Sequence, residues 1–186
     1  MHKALAFVFD ILQTFVLAAA IFVIVYLFLL QPNMIKGASM ETNFFDGDYI
    51  LTEKVMYRFR EPKRGEVVVF QSPSRPDVDY VKRIIGLPGE TISLTDGVIY
   101  INDVPLDEEY QPTSETSAGR FLSSGEEFTV PSGTFFVMGD NRTHSSDSRE
   151  FGTVALEDIR GRAVLRYWPL NRFGNISTPT YAVAAE

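Results

Sequence analysis

The chain has 186 residues, enough for one ordinary domain with a short appendage, and 45% of them are hydrophobic, as in a globular protein. Lys and Arg number 17 against 24 Asp and Glu, and the net charge of -7 argues against nucleic-acid binding, which needs clustered cations. Cysteine is absent and histidine numbers 2, which excludes disulfides, cysteine nucleophiles, Cys-ligated metals and a three-histidine metal site. No cofactor and no metal are expected, and a serine–histidine triad would have to rest on His144.

Residues 1–10 read as a short tail. From Ile11 to Leu30 the chain runs ILQTFVLAAAIFVIVYLFLL without a charge. That is roughly the 20 residues a helix needs to cross a bilayer. Lys36 is the next charge, and Pro32 is a natural stop for the helix. A cleaved signal peptide has a shorter apolar core followed by a small-residue cleavage site, and none follows Leu30 at once. A buried soluble helix would show a polar face, and this one is apolar all round. The expectation is an uncleaved transmembrane anchor over 11–31. Lys3 before it and Lys36 after it nearly balance, so charge leans only slightly to an inside N-terminus.

After the anchor the pattern becomes that of strands. Tyr49 to Val55 alternates, with Ile50, Thr52 and Lys54 on one face. Val67-Val68-Val69-Phe70 is a β-branched run suited to burial on both faces. Tyr80 to Ile85 follows, ended by Gly86. Thr91–Leu94 and Val98–Ile101 flank Thr95-Asp96-Gly97, a tight hairpin signal. Phe135–Met138 and Ala163–Trp168 complete at least seven strands. No amphipathic run outside the anchor is long enough for a major helix.

Between these strands, residues 102–127 are polar and acidic and read as a surface loop or small lid. Residues 171–186 read as a loosely ordered tail ending in Ala182-Val183-Ala184-Ala185-Glu186. The fold expected is mainly β, one domain of antiparallel sheets over 32–170, preceded by a single N-terminal transmembrane helix.

Three segments carry possible chemistry. In Ile35-Lys36-Gly37-Ala38-Ser39-Met40, small residues put Ser39 on a turn that a ligand can approach, although most serines beside glycine are only turn residues. Lys82 is the one charge between Tyr80-Val81 and Ile84-Ile85, apart from its neighbour Arg83. Facing inward, it would be desolvated and its amine neutral near pH 7–8; facing outward, it would be an edge-strand lysine that discourages aggregation. Asp140 to Arg149 is a dense polar loop after an apolar strand, either a solvated turn or an ion-paired brace built from Asp140, Arg142, Asp147, Arg149 and Arg83.

Taken together these segments resemble bacterial type I signal peptidases, with their Ser–Lys dyad. The resemblance rests on Ser39-Met40, on Arg64-Gly65-Glu66-Val67-Val68-Val69-Phe70, and on Asp79 through Glu90. It rests also on Gly139-Asp140-Asn141-Arg142 with Ser145, Asp147, Ser148, Arg149 and Gly152. Order and spacing match from about Ile11 to Trp168. The resemblance implies a membrane-bound serine endopeptidase with Ser39 as nucleophile and Lys82 as general base. Ser145 would hydrogen-bond the lysine, Asp147 would pair with Arg149, and Asp140 and Arg83 would fix the neighbouring loop. The Ser39 backbone N–H would serve as oxyanion donor. Ile35, Met40, Phe44, Tyr80 and Val81 would line the pockets, with small residues selected at the first and third positions before the cut. The partners implied are precursor proteins carrying signal peptides and the lipid bilayer, with the catalytic domain on the extracytoplasmic side of the plasma membrane. The oligomeric state is open.

The chain departs from the family pattern at Thr42, Asn43 and Phe44, where Pro, Thr and Leu are usual, and at Glu66, where Asp is commoner. Gly37 stands where some members add a serine hydroxyl. A looser turn and a narrower first pocket are expected. His144 reads as a bystander. Two other readings remain: a self-cleaving Ser–Lys peptidase of the repressor type, and a membrane-tethered, non-enzymatic β module.

Overall fold

A computed structural model of the chain describes residues 2–108, 110, 116–179 and 181. The Ala-rich end of the tail, 182–186, and positions 109 and 111–115 of the polar segment lie outside them. The chain begins with helix α1 (His2–Ile24), continued by a wider π-helical turn over Val25–Leu29. The part from Ala6 to Ile24 is long and apolar enough to cross a membrane, and its side chains are exposed. The helix starts earlier than the apolar run and stops sooner. Leu30 and Gln31 already belong to strand β1 (Leu30–Met34), where Pro32 sits opposite Leu51. A proline, with no N–H to give, is tolerated there because β1 is an edge strand.

The rest is mainly β. The strands are β2 (Tyr49–Glu53), β3 (Val67–Gln71), β4 (Asp79–Gly86), β5 (Thr91–Thr95), β6 (Val98–Ile101), β7 (Val104–Pro105), β8 (Glu127–Thr129), β9 (Thr134–Met138), β10 (Val154–Ala155), β11 (Ile159–Trp168) and β12 (Gly174–Asn175). Apart from α1, the described residues hold one further α-helix, the single turn α2 (Ser148–Phe151). The large sheet runs β1-β2-β11-β3-β4-β9-β10, with β12 beside β11, and the small sheet runs β7-β6-β5-β8. All pairings are antiparallel.

β3 is buried on both faces, as its β-branched run implies, and its alternation divides the interior in two. Val67 and Val69 join Ile35, Met40, Phe44, Ile50 and Ala163 on one side. Val68 and Phe70 join Ile84, Phe135, Val137 and Val154 on the other. The β5–β6 hairpin closes through Asp96 and Gly97, both at positive φ (49° and 76°), a backbone that favours glycine and tolerates aspartate. Its apolar face packs against Ile85 of β4 and Phe136 and Met138 of β9.

The polar segment 102–127 is more than a surface loop. Val104–Pro105 pairs with β6, Leu122 is 1% exposed in the core beneath the small sheet, and Thr116 is buried. Two of its polar residues, Glu108 and Thr116, meet the buried Arg142 from far along the chain, which local composition cannot reveal.

Candidate active site

The turn after β1 is pinned at both ends. Ile35 N–H donates to the Asp48 carbonyl and Gly47 N–H to the Ile35 carbonyl, while Gly37 N–H donates to Asp46 Oδ1 at 2.7 Å. Met40 and Phe44 are driven into the core below, 1% and 4% exposed, and a Phe44 N–H bond to the Met40 carbonyl closes one helical turn. Ser39 therefore sits on a turn held by backbone bonds on one side and by buried side chains on the other. From the facing loop, Asn141 N–H donates to the Ser39 carbonyl at 3.1 Å and Asn141 Nδ2 to the Ala38 carbonyl at 3.0 Å.

Lys82 projects from β4 and is 4% exposed. Its Nζ donates to Ser39 Oγ at 2.7 Å and to the Val81 carbonyl at 3.1 Å. Burial pushes its pKa down from 10.5 to about 8; Asp147 and Asp140 partly oppose this, and Arg149 adds to it. A large part of the amine population is then neutral in mildly alkaline solution. Once neutral, the amine has a lone pair that can accept the serine's proton across the 2.7 Å contact.

Behind the pair lies a buried ionic frame. Arg83 holds Asp140 with two bonds, Nε to Oδ1 at 2.8 Å and Nη2 to Oδ2 at 2.6 Å, and a third reaches the Gly65 carbonyl. Asp147 accepts from Arg149 Nε and Nη2, both at 2.8 Å, and from Gly139 N–H at 3.0 Å. Burial alone would raise the Asp147 pKa, but the bonds from Arg149 and Gly139 outweigh it and hold the carboxyl below its ordinary value. Arg142, fully buried, pairs with Glu108 and donates to Thr116 Oγ1 at 2.9 Å and to the Gly139 carbonyl at 3.1 Å. Gly139 has no room for a side chain, since a Cβ there would overlap Ser145 Oγ and the Ser39 carbonyl.

The expected bond from Ser145 to Lys82 is not formed. The Ser145 Oγ is buried without a well-formed hydrogen bond to any partner, although Asp147 is near enough for the hydroxyl to favour its charge. The Ser39 backbone N–H has no hydrogen-bond partner among the described residues, which leaves it available as a donor. Gly37 offers no hydroxyl, and its own N–H is taken by Asp46.

Ser39 and Lys82 lie in a cleft of about 480 Å³. One wall is the segment from Met34 to Met40; the other is Val78 to Lys82 with Arg75, and His144 and Ser146 stand at the rim. Ile35, Met40, Tyr80 and Val81 line it as expected. Phe44 does not: it faces a separate space of about 150 Å³ beside Asn43, Arg83, Tyr110 and Arg166. The expected narrowing of the first pocket by Phe44 is therefore not seen. Sequence reasoning missed Arg75, Val78 and Ser146 on the cleft, and His144, set aside as a bystander, is exposed on its rim with Nδ1 at 2.9 Å from Thr143 Oγ1. It also missed Glu108 and Tyr110, whose partners lie far along the chain. The one available signal was that Arg142 could not be buried without an acid beyond its own loop.

The family model described as "Signal peptidase, peptidase S26" matches residues 8–168. Signal peptidase I of Leptolyngbya laminosa is 38% identical over 82% of this chain and 75% of its own. A probable signal peptidase I of Synechocystis is 35% identical over 84% and 81%, and signal peptidase I of Bacillus licheniformis is 32% identical over 88% and 90%.

Proposed function

The chain belongs to the peptidase S26 family of signal peptidases, and from that membership we propose that it is a membrane-anchored endopeptidase using a Ser39–Lys82 dyad. The observation that carries this is the 2.7 Å contact between Ser39 Oγ and the amine of a lysine 4% exposed. Neutral Lys82 takes the serine proton as Oγ attacks the scissile carbonyl. The Ser39 N–H stabilises the resulting oxyanion, a role typically worth about 3–4 kcal/mol of barrier for one donor. The lysine ammonium then protonates the leaving amine, and the neutral amine activates water to hydrolyse the acyl-enzyme. Ser145, whose buried hydroxyl lies near Asp147 and makes no bond to Lys82 here, would steady the amine once it releases Ser39. Asp147 with Arg149 and Asp140 with Arg83 keep the amine's surroundings fixed.

The substrate is the signal-peptide end of a precursor protein, lying extended between residues 34–37 and 79–82. Alternate side chains point into the cleft wall, where Ile35, Met40, Tyr80 and Val81 leave shallow room and select small residues at the first and third positions before the cut. Helix α1 holds the enzyme in the plasma membrane as a single span, with the catalytic domain on the extracytoplasmic side. The domain is the β body over 32–170.

The test is cleavage of a precursor peptide ending its signal in Ala-x-Ala by detergent-solubilised wild type, Ser39→Ala and Lys82→Ala. Wild type is expected to cut after the second Ala and both variants to fail. Cleavage by either variant at the wild-type rate would overturn the dyad.

A further inference from the structure

Asn43 stands in the same turn as Ser39, outside the cleft. Its backbone is fixed, since Asn43 N–H donates to the Met40 carbonyl at 3.1 Å and the Asn43 carbonyl accepts from Arg166 Nη1 at 2.7 Å. From that base its Nδ2 reaches two acceptors, the Tyr110 carbonyl at 3.0 Å and Asp140 Oδ2 at 2.9 Å. Neither partner can donate, so the NH2 end of the amide must face them. Two acceptors need two protons on one atom. A hydroxyl at this position would satisfy one of them, and a carboxylate neither.

The same Asp140 carboxylate grips Arg83, the residue after Lys82 in β4. The Tyr110 ring lies over that guanidinium, 4.2 Å from its centre. A closed circuit results, from the turn through Asn43, Asp140 and Arg83 to β4, and back through Lys82 to Ser39. We propose that Asn43 is a positioning residue that sets the separation of Ser39 and Lys82 by locking the serine's turn to the lysine's strand. The inference rests on the dyad proposed above. It gives a purpose to a position where the chain departs from its family's pattern. A hydroxyl and its base tolerate little misplacement, and about 1 Å costs of order a hundredfold in rate.

The expected signature is kinetic. Asn43 does not line the cleft, so substrate affinity should hold while turnover falls. A loosened turn also lets water reach the amine. Asp140, Asp147 and Arg149 are the charged groups acting on Lys82, with the Tyr80 ring 5.3 Å away. Hydration weakens the burial effect that dominates, so the midpoint of the rate–pH profile should rise.

The experiment uses the full chain in detergent with the Ala-x-Ala peptide, comparing wild type, Asn43→Ala, Asn43→Ser, Ser39→Ala and Lys82→Ala. For Asn43→Ala, kcat is expected to fall about ten- to hundredfold with KM within about twofold, and the pH midpoint to move upward. Asn43→Ser, keeping one donor, should fall between it and wild type. If Asn43→Ala does not fold, as judged by circular dichroism, Asn43→Ser must show the same changes in smaller measure. Wild-type kcat and pH midpoint in a folded Asn43 variant would overturn the proposal, as would a change confined to KM. Inactive Ser39→Ala and Lys82→Ala beside a normal Asn43→Ala would sink this inference alone. Active Ser39→Ala or Lys82→Ala would sink the dyad and this inference with it.

Discussion

In β5 and β6 burial follows the pleat: Ile92, Leu94, Ile99 and Ile101 are inside, and the residues between them are half-buried or exposed. β4, which precedes them, obeys another rule. Its last five residues, from Lys82 to Gly86, are all buried, and two of them are charged. The β5–β6 hairpin needs only its apolar face and a tight turn to be stable. β4 places two cations in the interior, and the structure treats them in opposite ways. Arg83 receives a carboxylate with two bonds, whereas Lys82 receives a hydroxyl and a carbonyl and no direct counter-ion. The neutralised cation is scaffold. The uncompensated one has its acidity shifted in the direction that the proposed role as base needs.

The contrast can be broken first at Lys82. Lys82→Arg keeps a cation but cannot lose its proton, so turnover should fall by about two to four orders of magnitude in a folded protein. Wild-type rates in the same peptide assay should rise with pH through about 8, as the amine becomes neutral. A flat wild-type profile, or an active arginine variant, would remove the distinction between the two cations.

Removing a compensating partner should cost stability. Arg149→Ala leaves Asp147 buried with its charge unmatched, and chemical denaturation is expected to report a loss of about 3–5 kcal/mol. A loss below about 1 kcal/mol, the range of exposed pairs, would mean the frame is not braced as described.

A third variant reverses the sign. The folded pKa of Lys82, about 8, lies below its ordinary 10.5, so between those values the unfolded chain binds more protons and stability rises with pH. Below pH 8 the buried charge costs about 3 kcal/mol, and above 10.5 that cost is gone. Lys82→Met should therefore be inactive yet more stable than wild type at pH 7 by up to about 3 kcal/mol, with the gap closing as pH rises. Equal stabilities at pH 7 would show the lysine is better hydrated than its burial implies.

The smallest effect belongs to the ordinary hairpin. Gly97→Ala puts a side chain at positive φ and should cost about 1–2 kcal/mol in denaturant titrations, leaving peptide cleavage unchanged. A large loss of cleavage would tie the small sheet to the site more closely than the contrast allows.

What could be read from the sequence follows the same division. Val67 to Phe70 and the Thr95-Asp96-Gly97 turn declare their structure locally, through β-branching and turn chemistry. Ser39 and Lys82 were legible only together with the other segments, because a lone serine turn and a lone strand lysine each have an ordinary explanation. Glu108 with Arg142, and Tyr110 with Arg83, were not legible. Periodicity reports which face a residue occupies, not which distant residue meets it there. Leu122 was hidden for a related reason, as a core residue set in a mostly polar segment. Asn43 registered in the sequence only as a departure from the family pattern, and the structure gives it two acceptors that a threonine hydroxyl could not both serve.

The junction of helix and sheet has a further consequence. The π-helical turn passes into β1 with no coil between, and the Leu29 carbonyl accepts from Lys54 N–H at 2.9 Å, so the joint is tied to β2 as it forms. Such a joint contains no coil residue to serve as a hinge. With α1 in the bilayer as proposed, its tilt is passed to β1 and on to the cleft wall that β1 leads into. Five residues of strand reach about 17 Å, which limits how far the cleft can stand from the end of the helix. A precursor whose own apolar helix is moored in the same bilayer would then be measured as well as read. Its cutting point would be set by the length of chain between mooring and cleft, together with the size of two side chains.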